Sequence, residues 1–78
     1  MLEKVMQLQE ERDIVRNIKK TVDEKLDNLK KSKDPMNYLA VEAFENISFR
    51  MELEIYKISE EIANLLLDKV ESGFLYEN

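Results

Sequence analysis

One stretch, Ser32-Lys33-Asp34-Pro35, most constrains what this chain can fold into, because it holds the only proline and it interrupts an otherwise continuous helical pattern. Proline lacks an N–H and has a fixed φ, so it suits the first turn of a helix. An aspartate just before it can cap the free N–H groups of that turn. Proline also disfavours α geometry at the preceding residue, so a helix arriving from the N-terminal side must end near Lys31. The chain is therefore expected to form one domain, residues 1–78, made of two helices. These run over about 2–31 and 35–71, fold back antiparallel across a turn at 32–34, and include no strand. With one glycine, one proline and 37% charged residues, the composition is that of long helices.

A 78-residue chain buries only about 60% of its unfolded surface. Without cysteine there is no disulfide staple, and without histidine the usual structural zinc sites are absent. Completion of the hairpin by a partner, or by dimerisation into a helical bundle, is the expected remedy. No stretch approaches the ~20 apolar residues of a membrane span, and Met1-Leu2-Glu3-Lys4 lacks a secretory pattern, so a cytoplasmic protein is expected.

Along residues 2–31, Leu8, Ile14, Val15, Ile18, Val22, Leu26 and Leu29 fall within about a third of the helix circumference, which makes them the expected core stripe. The polar run Gln9-Glu10-Glu11-Arg12-Asp13 interrupts it. The turns before it are then expected to be weakly anchored, with Met1, Leu2, Val5 and Met6 turned to a partner and away from the hairpin core. Along residues 35–71 the main stripe is Ala40, Phe44, Ile47, Met51, Ile55, Ile58, Ile62, Leu65 and Leu66. From Phe44 to Leu66 its steps give two blocks of eleven, a period that favours straight or slightly right-handed packing. Gly73 is expected to cap the helix, followed by a short aromatic tail with Phe74 and Tyr76.

A second apolar line lies beside the first. Phe49, Leu53, Tyr56, Ala63 and Leu67 form a ridge about 140° from the main stripe, with Tyr38 earlier on the same helix. A single neighbouring helix cannot cover both lines, so these six residues are the candidate partner-binding positions, and Phe49 and Tyr56 are the expected anchors.

Residues 1–33 carry nine basic and seven acidic side chains and residues 34–78 three and ten, so the halves hold +2 and −7. Antiparallel docking lays a mildly basic helix along an acidic one. Catalysis has little to work with, since four serines have no histidine to activate them and adjacent carboxylates project about 100° apart on a helix. Neither enzyme activity nor a metal or cofactor is expected. Lys19, Lys20, Lys25, Lys30, Lys31 and Lys33 could face a nucleic acid, but Asp23, Glu24 and Asp27 lie among them and the net charge is −5, which argues against it.

The segments Ile14-Val15-Arg16-Asn17-Ile18-Lys19-Lys20, Leu26-Asp27-Asn28-Leu29-Lys30-Lys31 and Asp34-Pro35-Met36-Asn37-Tyr38, with the early Leu2-Glu3 pair, resemble the small helical-hairpin cochaperones of type III secretion needle subunits. The resemblance covers roughly residues 2–40. It implies a role beside a tetratricopeptide-like chaperone, keeping the needle subunit soluble and unpolymerised in the cytoplasm. The second half departs from that pattern in being longer, more acidic and ended by Phe74-Leu75-Tyr76. Read from the residues without that resemblance, a homodimeric four-helix bundle is the alternative.

Overall fold

The computed structural model describes residues 2–77, with side chains described through Val70; Met1 and the side chains of Phe74 and Tyr76 lie outside it. Two helices, α1 (Leu2–Lys31) and α2 (Asn37–Glu77), pack antiparallel, and no strand occurs among the described residues. The molecule is a rod of 66 × 15 × 14 Å. That length is set by α2, whose 41 residues span about 60 Å at the helical rise.

α1 ends where expected. Ser32 N–H makes its last helical bond, to the Asn28 carbonyl at 3.2 Å, and Lys30 and Lys31 place positive charge at the negative end of the helix dipole. α2 begins two residues later than Pro35. The Asp34 carboxylate accepts the Met36 N–H at 2.9 Å, as a cap should. The backbone bonds Asn37 N to Asp34 O and Tyr38 N to Pro35 O both span three residues, so Pro35 and Met36 form a tight turn that delivers the chain into α geometry at Asn37. At the other end α2 does not stop before Gly73 but continues to Glu77. A glycine costs about 1 kcal/mol inside a helix without forbidding it, and no proline follows to enforce a stop.

The buried line differs from the expected stripes on both helices. On α1 the residues withdrawn from solvent are Val5, Leu8, Arg12, Val15, Lys19, Val22, Leu26 and Leu29, together with Asp23. The eight advance in alternating steps of three and four. On α2 the matching line is Val41, Phe44, Ser48, Met51, Ile55, Ile58, Ile62 and Leu65, in the same alternation. Both seams are heptads, the period of left-handed helix pairs, and not the elevens expected of α2. Arg12, Lys19 and Ser48 hold seam positions, and their polarity hides the repeat from a search for apolar residues. Consequently Ile14, Ile18, Ile47 and Leu66, expected in the core, are exposed, and Val5, expected to face a partner, is 5% exposed and part of the core.

That core is small. Val5 and Leu8 pack with Ile58 and Ile62, flanked by Val15 and Leu65, while Leu26 is buried nearer the turn. The N-terminal turns are thus the best anchored part of α1. Among the described residues no side chain is completely buried.

Candidate interaction surfaces

The heptad seam divides the rod into three surfaces besides the core. The first is a polar edge. The Arg12 guanidinium donates through Nη1 to Ser59 Oγ at 3.2 Å, Lys19 Nζ lies 3.6 Å from a Glu52 carboxylate oxygen, and Lys30 Nζ lies 3.4 Å from Glu45. Between them Asp23 accepts from Lys19 Nζ at 2.7 Å and from the Ser48 hydroxyl at 2.6 Å. The Lys19 hydrogen bond, helped by that of Ser48, holds the Asp23 carboxyl below the usual carboxylate range. The same bond to Asp23 raises Lys19 above the ordinary lysine range against the smaller opposing effect of desolvation.

These contacts also set the register. The pairs Arg12–Ser59, Lys19–Glu52 and Asp23–Ser48 each place an α1 residue i beside α2 residue 71 − i. One polar atom on this edge is poorly served: Arg12 Nε is buried without a hydrogen-bond partner.

The second surface is the outer ridge of α2. Phe49, Leu53, Tyr56 and Leu67 are between 44% and 67% exposed, and Ala63 is exposed among them. In heptad terms they occupy the positions farthest from α1, which is why no part of the hairpin reaches them. Glu42 and Glu60 fall on the same line at helical spacing, and Glu45 and Glu52 border it on the side of the polar edge, so the apolar crest is broken by carboxylates and acidic along one flank. Tyr38 is equally exposed but stands apart. It lies eleven residues, about 16 Å, before Phe49 and lines an open hollow of about 340 Å³ at the turn with Leu29, Lys30 and Val41. The structure brings five of the six candidate residues into one ridge and leaves Tyr38 at the end of the rod.

The third surface, opposite the polar edge, was not legible as a site. Ile14, Ile18 and Ile47 border it, and Val15, Ile18, Ile47 and Met51 floor a groove of about 270 Å³, with Arg50 and Glu54 at its rim. Had the polar seam residues been counted into a heptad, these isoleucines would have fallen on a flank of the helix pair and out of the core.

Among the described residues no three carboxylate, histidine or cysteine side chains gather closely enough to hold a metal ion, and no helix is long and apolar enough to cross a membrane. No protein-family model matches the chain, and no curated protein or solved structure matches it either.

Proposed function

We propose that this protein is a non-catalytic helical interaction module whose outer α2 ridge docks a protein partner. The single observation that carries this reading is the ridge itself: two aromatic and two leucine side chains stand exposed in one line on the face turned away from α1. Contiguous apolar faces are rarely left bare, and aromatic residues in such a line are the side chains that most often dominate binding energy. Glu42 and Glu60, which join no ion pair among the described residues, favour a partner whose apolar groove carries basic side chains.

In its finer form the reading follows the resemblance. The partners are then a tetratricopeptide-like chaperone and a type III secretion needle subunit, held unpolymerised in the cytoplasm. The test is co-expression of the chain with such a chaperone and needle subunit, scored by a stoichiometric complex and by the absence of needle polymer. Phe49→Ser and Tyr56→Ser are expected to abolish the complex while leaving helicity intact. A complex that forms undiminished with both variants overturns the ridge assignment, and no complex with the wild-type chain overturns the needle-subunit role.

A further inference from the structure

The open edge bordered by Ile14, Ile18 and Ile47 uses none of the ridge residues, so it is a separate surface with its own occupant to explain. We propose that the occupant is a second copy of this chain, lying edge to edge and antiparallel, with the two turns at opposite ends of a four-helix bundle.

The charges on α2 are the first support. Arg50, Glu54, Lys57 and Glu61 lie within about 60° of one another on the open-edge side, and none of them joins an ion pair among the described residues. Their signs run plus, minus, plus, minus. Laid antiparallel on itself, this segment sets Arg50 against Glu61 and Glu54 against Lys57 in a single register, with the two-fold axis between residues 55 and 56. Laid parallel in register, it sets like charge against like.

The exposed isoleucines of α1 are the second support. An antiparallel copy sets Ile14 against Ile18 when the axis passes at residue 16. The two centres come from different residue types on different helices, and nothing in either requires them to coincide. The hairpin register decides whether they do: residue i of α1 lies beside residue 71 − i of α2, so residue 16 is level with residue 55. One axis therefore satisfies both helices to within a residue, and it seats Ile14 of each copy over the groove beside Glu54 of the other. The arrangement with both turns at the same end would instead bring Ile14 against Lys57 of the other copy, an aliphatic side chain against an ammonium group.

The experiment uses the full chain and two charge-swapped forms, one carrying Arg50→Glu and Lys57→Glu, the other Glu54→Lys and Glu61→Lys. Sedimentation across a wide concentration range is expected to show a wild-type homodimer. Each swapped chain alone faces four repulsive contacts in place of four attractive ones and is expected to self-associate roughly tenfold more weakly or worse, while their mixture recovers a heterodimer of near wild-type affinity. A nitroxide at Ser32→Cys in the otherwise unchanged chain reads the orientation independently of those variants. The labels sit 16 residues either side of the axis, so the expected separation is roughly 50 Å. Phe49→Ser is expected to leave the dimer intact, which keeps this result distinguishable from failure of the ridge. A wild-type chain that stays monomeric, swaps that leave the affinity unchanged, a mixture that does not recover, or labels closer than about half that separation each overturn the proposal.

Discussion

Leu8→Ala tests most directly where the core of this protein lies. Leu8 is 3% exposed and packs with Val5, Ile58 and Ile62. Truncating a buried leucine to alanine costs about 2–5 kcal/mol, the spread reflecting how far the surroundings close over the cavity. Here the cavity lies between two helices with solvent on both edges, so neighbouring side chains can move in, and the lower end, about 2–3 kcal/mol, is expected. Such a domain has of order 0.05–0.15 kcal/mol of stability per residue, or about 4–12 kcal/mol for 78 residues, so the loss is a large fraction of the whole. It corresponds to a melting temperature lowered by about 10–20 °C. The assay is thermal and urea unfolding followed by helical circular dichroism at one fixed protein concentration, because self-association couples to apparent stability. Leu2→Ala is the control, since Leu2 is 61% exposed and its truncation is expected to stay within about 0.5 kcal/mol. Equal losses for the two variants, or no measurable loss for Leu8→Ala, would show that the N-terminal turns do not pack on Ile58 and Ile62.

Two further outcomes follow from the polar edge. The Asp23 carboxyl is held below its ordinary range, so its contribution is complete above the unfolded value near pH 4, and it is lost as the pH falls through the folded value below that. Acid unfolding compared between wild type and Asp23→Asn is expected to converge in that window and to differ above it; parallel curves would show that the Lys19 and Ser48 contacts do not stabilise the fold. Arg12→Leu replaces a seam guanidinium whose Nε lacks a partner with an aliphatic side chain, and it is expected to raise stability by about 1 kcal/mol, read as a higher melting temperature. A lower melting temperature would mean that the bond to Ser59 outweighs the buried, unserved donor.

The hairpin itself was legible in the sequence because its causes are local. Asp34 and Pro35 act on the backbone within a few residues, and strong helix formers with a single proline leave α1 and α2 no other break. The end of α1 at Lys31 is accordingly where the sequence places it, and the start of α2 is two residues away. The outer ridge was legible for a related reason. Phe49, Leu53, Tyr56, Ala63 and Leu67 share a line by helical spacing alone, and once the core side of α2 is known even approximately, that line lies opposite it.

What only the tertiary structure decided is which stripe of each helix faces the other. An apolar stripe is a reliable guide when every seam position is apolar, but here Arg12, Lys19 and Ser48 occupy three of them. Their cost is reduced by partners supplied from across the hairpin or along the helix, fully for Lys19 through Glu52 and Asp23 and for Ser48 through Asp23, and only in part for Arg12 through Ser59. Such compensation depends on residues more than twenty positions apart for Arg12 and Ser48, and helix periodicity carries no information about it. With those positions discounted, the nearest apolar residues, Ile14, Ile18 and Ile47, complete the stripe, which rotates it and puts Val5 on the side away from the core. The packed structure rotates it back, because the contacts of Arg12, Lys19 and Ser48 across one edge go with Val5 and Leu8 packed onto Ile58 and Ile62 and leave the isoleucines along the other.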